Sequence, residues 1–204
     1  MSAKPIHLAI LVGSNREGRL APTIARWFTD QIRSDDSFSV DVIDLAEVHL
    51  PAVISDIPGP EAVAFCQRLA DADAFVFVVP EYNHSFPAVL KHAIDLGYHE
   101  WQAKPVGFVS YGGFGAGLRA VEHLRGVIAE LHAVTVRDTV SFRNAWDVFD
   151  DQGRLVDPAS CAGAATAMLH QLKWWGTALR RARADEPYTA APSKSEEGEL
   201  VDAG

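Results

Sequence analysis

Short runs of almost entirely apolar residues alternate along this chain with segments whose apolar residues recur at helical spacing. Residues 6–12, 74–79 and 105–111 form the clearest runs, and residues 38–45 and 134–142 add two more, the last one irregular around Arg137 and Asp138. Continuous apolar runs are typical of parallel strands covered by helices on both faces. The pattern therefore predicts a three-layer, doubly wound α/β fold with a five-stranded parallel sheet.

The predicted helices follow the strands directly. Pro87 is predicted in the first turn of the helix after the third strand, where its missing amide hydrogen is not needed. The last helix is predicted over about residues 158–183, with one apolar face formed by Met168, Leu169, Leu172, Trp175, Gly176 and Leu179.

Length and composition indicate one domain followed by a tail. The chain has 204 residues, 48% of them hydrophobic, which suffices for one full-sized core. Residues 185–204 are rich in Ser, Glu, Pro, Ala and Gly. Because burial of so few large apolar side chains does not offset the entropy of ordering, we expect a domain over 1–184 and a disordered acidic tail over 185–204.

Charge and cysteine usage narrow the class of partner. The net charge is −9, and the last twenty residues supply −5 of it. A mildly acidic body argues against nucleic acid as the principal partner, since such binding needs many Lys and Arg side chains. Two cysteines without a CxxC pair, and no apolar stretch long enough for a bilayer, predict a cytoplasmic protein that does not bind membranes.

The first strand runs into a loop, residues 13–19, that precedes a helix. The amide hydrogens and the helix dipole at this position favour an anion. Arg19 and Leu20 stand where a nucleotide triphosphatase has Lys and Ser or Thr, and GxGxxG is absent. Ser14, Arg16 and Arg19 suit a terminal monophosphate instead. The alternative is that both arginines are solvated and Ser14 caps a turn.

Two further loops offer contacts for a flat ring. Tyr82 supplies an aromatic face, and the Asn83 amide both donates and accepts hydrogen bonds. Gly112 and Gly113 allow the backbone to approach a ligand closely. Each loop also has a simpler interpretation, since Tyr82 suits a packing or subunit contact and paired glycines suit a tight turn.

Other constellations are weaker. His92, Asp95 and His99 fall at i, i+3 and i+7, a spacing at which such side chains can ligate a metal from one helix face. Gly97 is expected to end that helix before His99, so an interface or solvent contact is the alternative. Ser110 lacks the GxSxG frame of a serine hydrolase.

Three segments together resemble the NADPH-dependent FMN reductases of flavodoxin-like fold, which include quinone and azo-dye reductases. GSNREGRLAP is similar to that family's phosphate loop, PEYNHSFPAVLKHAID to its PEYN signature, and KPVGFVSYGGFGAG to its glycine loop. The resemblance covers residues 6–142 and implies a sheet with strand order 2-1-3-4-5.

The resemblance implies FMN contacts on all three loops. The phosphate would be held by Ser14, Arg16, Arg19, Leu20 and Ala21. The isoalloxazine would be bordered by Pro80, Glu81, Tyr82 and Asn83 on one side and by Ser110, Gly112 and Gly113 on the other.

The same resemblance implies that NADPH, or NADH, reduces bound FMN and that electrons then pass to a flat acceptor such as a quinone, an azo compound or free flavin. A shared site predicts ping-pong kinetics. The resemblance also implies a homodimer or homotetramer, to which Tyr98, Trp101 and Trp146 are candidate contacts. The rival function is a non-enzymatic FMN module for electron transfer or redox sensing.

Overall fold

The structure is a computed structural model and describes residues 4–159 and 161–188. These residues form six strands and five α-helices, which alternate as far as the fifth strand. The strands are β1 (Ile6–Val12), β2 (Phe38–Asp44), β3 (Ala74–Pro80), β4 (Pro105–Gly112), β5 (Val134–Thr135) and β6 (Val140–Arg143). The helices are α1 (Ala21–Ile32), α2 (Pro60–Asp71), α3 (Ala88–Leu96), α4 (Leu118–Glu130) and α5 (Ala162–Asp185).

All strand pairs in the sheet are parallel, and the strand order is β2-β1-β3-β4-β5, with β6 also paired to β4. The predicted order is confirmed. The chain passes from β1 to β2 on one side and then to β3 on the other, so the connections after the adjacent strands β1 and β3 lead to opposite sides of the sheet. The loops that follow these two strands therefore meet at the carboxyl edge of the sheet. This crevice is where doubly wound folds bind ligands.

Two hydrophobic clusters cover the two faces of the sheet. Leu8, Ile10 and Val12 of β1 pack with residues of α1 and α5, while Ala9 and Leu11 pack with residues of α2, α3 and α4. Alternate side chains of one strand thus enter opposite layers. The burial of both faces explains why the central strands are apolar at almost every position.

The predicted fifth strand is interrupted. Residues 136–139 separate β5 from β6, and the Arg125 side chain of α4 donates hydrogen bonds to the carbonyl oxygens of Val136 and Arg137. These carbonyls are satisfied by a side chain instead of by a neighbouring strand. The irregularity expected near Arg137 is therefore a break that divides the strand into two short segments.

Two helix predictions need correction. Pro87 lies just before α3, with extended backbone, and not inside its first turn. Helix α5 begins at Ala162, and Trp175 is 37% exposed instead of facing inward. Gly176 is the residue that approaches β1, since a Cβ there would lie 3.4 Å from Ile6. Adjacent helical residues point about 100° apart, so Trp175 is turned away from the sheet.

The end of the described chain lies against the domain. The hydroxyl of Tyr188 and Nδ1 of His132 are 2.9 Å apart. Most of the predicted tail, residues 189–204, lies outside the described residues, so its disorder stays a prediction. No helix in the described ranges is both long enough and apolar enough to cross a bilayer.

Candidate active site

A cleft of about 500 Å³ lies at the carboxyl edge of the sheet. A volume of this size is within the range of sites for small molecules and cofactors. It is lined by Arg16, Glu17, Gly18, Arg19, Leu20, Pro80, Glu81, Tyr82, Tyr111, Gly112, Gly113, Ala145 and Trp146. The lining combines residues from the loops after β1, β3 and β4 with the short helical turn after β6.

The two arginines of the first loop have different environments. Arg19 donates hydrogen bonds from both terminal nitrogens to the Asp44 carboxylate. One of these nitrogens, Nη1, also donates to the Ser14 carbonyl oxygen at 2.9 Å. Arg16 is exposed and lines the cleft, and no ion pair joins it to another described residue. The Arg16 guanidinium is therefore the more available group for an anion.

A side-chain contact joins the first loop to the second. The hydroxyls of Ser14 and Tyr82 are 2.8 Å apart, and the Ser14 side chain is buried. This contact fixes the Tyr82 ring at the wall of the cleft. The Ser14 hydroxyl therefore holds two walls together and is not itself part of the cleft lining.

The segment after Tyr82 is a tight turn. The backbones of Tyr82 and Ser85 exchange two hydrogen bonds, of 2.8 and 3.0 Å. The two residues between them, Asn83 and His84, have φ angles of 50° and 68°. Positive φ at both central positions is the geometry for which glycine is preferred. The turn places Asn83 outside the cleft lining.

Glu81 connects the second loop to α4. Its carboxylate accepts a hydrogen bond of 2.7 Å from the Arg119 side chain and one of 3.3 Å from the Arg119 backbone amide. This amide belongs to the first turn of α4, where the helix dipole stabilises a negative charge. Glu81 therefore lines the cleft while its carboxylate holds the third loop in place.

The third loop is held from below by Ser110. The Ser110 hydroxyl donates to the Ala116 carbonyl oxygen at 2.9 Å, and it lies 2.9 Å from the Ser141 hydroxyl. The Ser110 side chain is fully buried and does not line the cleft. The same loop is also fixed to the end of β6, since the Asn144 backbone amide donates a hydrogen bond to the Gly113 carbonyl oxygen.

The sequence predicts twelve cofactor-binding residues. Eight of them line the cleft together: Arg16, Arg19, Leu20, Pro80, Glu81, Tyr82, Gly112 and Gly113. Ser14, Ala21, Asn83 and Ser110 lie behind or beside that lining. The cleft also contains Tyr111 and Trp146, which were not selected. Tyr111 stands between two selected residues, whereas no sequence signal pointed to Trp146 as a cleft residue.

The lining fits a flavin mononucleotide. The exposed Arg16 and the start of α1 suit a phosphate. Tyr82 and Trp146 offer aromatic faces, and the glycine loop exposes backbone. Within the described ranges, the phenolic oxygen of Tyr111 is the buried side-chain polar atom without a hydrogen-bond partner, and its residue lines the cleft. A ligand oxygen would satisfy that group.

Fold and cleft together define a flavodoxin-like nucleotide-binding protein. The protein family described as NADPH-dependent FMN reductase matches residues 6–147. The chain belongs to this family. It is therefore an oxidoreductase that uses FMN as cofactor and NAD(P)H as electron donor.

Curated relatives carry related activities in their names. The chain is 38% identical over 134 residues to an NAD(P)H-dependent FMN reductase of Schizosaccharomyces pombe, a match that covers 59% of this chain and 66% of the relative. It is 38% identical to a 2-hydroxy-1,4-benzoquinone reductase of a Burkholderia species, a match that covers 63% of this chain and 73% of the relative. An NADPH:quinone oxidoreductase of Arabidopsis thaliana is 32% identical, covering 74% and 83%.

Solved structures with low sequence identity share the fold. The flavoenzyme NAD(P)H:(acceptor) oxidoreductase FerB of Paracoccus denitrificans superposes with a TM-score of 0.68 at 18% identity, covering 84% of this chain and 98% of that one. General stress protein 14 of Treponema denticola in complex with FMN gives a TM-score of 0.54 at 16% identity, covering 84% and 99%.

The helix face considered for a metal has other partners. Nε2 of His92 lies 2.6 Å from the Pro51 carbonyl oxygen, and Asp95 accepts hydrogen bonds from Lys91. A group of three or more metal-ligating side chains is absent from residues 4–159 and 161–188.

Proposed function

We propose that this enzyme reduces quinones at the cleft, with NAD(P)H as the electron donor. The observation that carries the proposal is the lining of the cleft, to which Tyr82 and the exposed Trp146 contribute aromatic side chains. A flat, largely apolar acceptor packs well against aromatic faces. The quinone reductases among the relatives support this choice of acceptor.

In this proposal, Arg16 and Arg19, the buried Ser14 and the first amides of α1 at Leu20 and Ala21 form the phosphate end of the FMN site. The isoalloxazine would be bordered by Pro80, Glu81 and Tyr82 on one side and by Gly112 and Gly113 on the other. Asn83 in the turn and the buried Ser110 would support these two segments from outside the lining. When bound, FMN supplies the hydride chemistry that links NAD(P)H to the acceptor.

The side chains of the cleft position the walls and need not act as acids or bases. Ser14 and Tyr82 join the first two loops, and Glu81 and Arg119 join the second to the third. These contacts preorganise the amides of the glycine loop, which stabilise negative charge without reorganising during the reaction. The Glu81 carboxylate is compensated by Arg119, so it does not repel electron-rich ligands at the cleft.

We propose that donor and acceptor bind in turn at the same cleft, which predicts ping-pong kinetics. Initial rates measured over a grid of NADPH and 1,4-benzoquinone concentrations test it, and parallel double-reciprocal lines are expected. Intersecting lines would show that both substrates bind together.

The acceptor is tested by comparing kcat/KM for 1,4-benzoquinone, an azo dye and free FMN with NADPH held at saturation. The highest value is expected for the quinone. A higher value for free FMN or the azo dye would overturn the assignment of acceptor while leaving the oxidoreductase class intact.

We further propose a homodimer or homotetramer in the cytoplasm. Tyr98 and Trp146 are 48% and 65% exposed and remain candidate subunit contacts, whereas Trp101 is completely buried and belongs to the core. Sedimentation at micromolar concentration tests the oligomer, and a monomer alone would refute it. Fractionation of cells expressing the chain tests the location.

A further inference from the structure

Tyr111 occupies the floor of the cleft near the end of β4. Its residue is 7% exposed and belongs to the hydrophobic cluster between the sheet and α1 and α5. The side chain therefore lies on the same face of the sheet as the start of α1. This is the side on which the first loop and its arginines stand.

Among the buried side-chain nitrogen and oxygen atoms of the described residues, the phenolic oxygen of Tyr111 is the one without a hydrogen-bond partner. The polar groups around it are already engaged. Ser14 and Tyr82 contact each other, and both terminal nitrogens of Arg19 are directed at Asp44. A buried hydroxyl without a partner loses its hydration and gains nothing in return. In native proteins such a group is explained by strain, by a catalytic role or by a bound water or ion. Its residue lines the cleft, which makes a bound ligand the relevant partner here.

Tyr111 is a donor at neutral pH. Burial raises the pKa of its phenol well above the usual value of 10, and Tyr82 acts in the same direction. A weak side-chain interaction with Ser14 and the charge of Arg19 lower that pKa by less, and Ser14 makes no hydrogen bond of ordinary geometry with the phenol because it is paired with Tyr82. The neutral hydroxyl offers one O–H to an acceptor. Two of the side chains that influence it, Ser14 and Arg19, belong to the first loop, at the phosphate end of the cleft, and Asp44 is the carboxylate partner of Arg19.

We propose that the Tyr111 hydroxyl donates a hydrogen bond to an oxygen of the ribityl phosphate arm of FMN. The inference rests on the placement of FMN in the cleft, and it adds a cofactor-binding side chain to that site. The hydroxyl and phosphate oxygens of this arm can accept a hydrogen bond. The Tyr111 phenol has no such acceptor in the protein alone. The hydroxyl thus decreases the stability of the apoprotein and increases the affinity for the cofactor.

The Tyr111→Phe variant separates this role from a structural one. Removal of a single hydrogen bond of ordinary strength weakens FMN binding by about tenfold. Lumiflavin has the ring without the arm, so its affinity is expected to stay unchanged. The melting temperature of the apoprotein is expected to rise by about 2–4 °C, because the variant no longer buries an unsatisfied hydroxyl.

Equilibrium titrations followed by flavin fluorescence give the affinities for FMN and lumiflavin, and thermal denaturation of the apoprotein gives its stability. Tyr98→Phe is the control, since it removes the same hydroxyl from a half-exposed side chain outside the cleft lining and keeps the aromatic ring that is a candidate subunit contact. It should leave all three quantities unchanged. Weaker FMN binding together with a more stable apoprotein supports the inference, because a purely structural hydroxyl would not produce opposite changes.

Equal FMN affinity of Tyr111→Phe and the natural chain would overturn the inference. A parallel loss of FMN affinity, lumiflavin affinity and apoprotein stability would overturn it as well, because that combination marks a structural role. If the natural chain itself fails to bind FMN, the placement of the cofactor fails too. Binding by the natural chain therefore distinguishes failure of this inference from failure of the proposed function.

Discussion

The guanidinium of Arg19 donates two parallel hydrogen bonds to the carboxylate of Asp44, each 2.9 Å long. Both side chains are only 14% exposed. Paired geometry of this kind is the strongest form of the arginine–carboxylate contact. Arg19 thus links the first loop to the end of β2 in addition to lining the cleft, whereas Arg16 is not committed in this way.

The two arginines should therefore respond differently to substitution. Arg16→Ala is expected to weaken FMN binding about tenfold or more, the loss of a charge-assisted hydrogen bond, without changing the melting temperature. Arg19→Ala is expected to weaken binding and also to lower the melting temperature by several degrees, because Asp44 loses its partner. Titration with FMN and thermal denaturation check both effects.

Arg33→Ala provides the control, since the Arg33 side chain is 80% exposed and pairs with Asp30 on the surface of the helix end. It should affect neither quantity. Unchanged FMN affinity in a folded Arg16→Ala, Arg19→Ala double variant would refute the phosphate assignment.

The turn between Tyr82 and Ser85 stores backbone strain at His84, where φ is 68°. Glycine adopts this conformation without the clash that a Cβ introduces. His84→Gly is therefore expected to increase the free energy of unfolding by about 1 kcal/mol. His84→Ala, which removes the imidazole but keeps the Cβ, should give no such gain. Chemical denaturation of the natural chain and of the two variants gives the three free energies of unfolding. Equal stability of the Gly and Ala variants would show that the backbone at His84 is not strained.

Two glycines near and in α4 form a matched pair. A Cβ at Gly117, where φ is 83°, would lie 2.7 Å from the Ser110 Cβ and 2.7 Å from the Tyr111 amide nitrogen. A Cβ at Gly126 would meet nothing within 4 Å. Gly117→Ala is expected to lower the melting temperature and FMN affinity together, because the third loop must move. Gly126→Ala should instead stabilise the helix by about 0.4–1 kcal/mol.

Thermal denaturation and FMN titration of both glycine variants provide the measurement. An unchanged FMN affinity in a folded Gly117→Ala protein would show that the geometry of the third loop is not needed for binding.

Lys104 predicts an alkaline dependence of stability. Its side chain is buried at the opposite edge of the sheet, where Nζ donates to the carbonyl oxygens of Leu69 and Ala70. Burial lowers the pKa of this ammonium from 10.5 to about 8, helped by the nearby positive charge of Arg183 and opposed by Asp73. Because the unfolded chain holds this proton more tightly, stability rises as pH increases from 8 toward 10.5 and is lost as pH falls through 8.

The size of this effect is up to about 3 kcal/mol. Subtracting the stability of Lys104→Met from that of the natural chain at each pH isolates the Lys104 contribution, which should increase over this window. Lys91→Met serves as the control, since Lys91 is partly exposed and pairs with Asp95 on the surface of α3. A flat difference curve for Lys104→Met would contradict the low pKa.

The central strands could be predicted because both of their faces are buried, and this forces apolar residues at nearly every position of β3 and β4. The contact between Arg19 and Asp44 could not, since it depends on the register that places Asp44 beside Val12 at the ends of β2 and β1. Trp146 reaches the cleft only through the path of the chain after β6. Local sequence carries no record of either long-range relationship.

The glycine loop shows both outcomes in one segment. Its position after a strand was readable from the sequence, as was the approach of backbone at Gly112 and Gly113. The role of Ser110 in anchoring the loop could not be predicted from the sequence. Its hydroxyl contacts the Ser141 hydroxyl of the neighbouring β6, and that contact depends on how the strands pair. Tyr111 was hidden for a similar reason, since an apolar-looking strand position gives no sign that its hydroxyl ends in the cleft.

The visible spectrum of the purified protein loaded with FMN, followed without oxygen while NADPH is added, tests most directly whether this cleft is a flavin reductase site. We expect FMN to bind to the natural chain, to bind more weakly to Arg16→Ala, and to lose its visible absorption band rapidly on addition of NADPH. A bound flavin whose band persists in the presence of NADPH would refute reduction at this site and favour a carrier of electrons over a reductase.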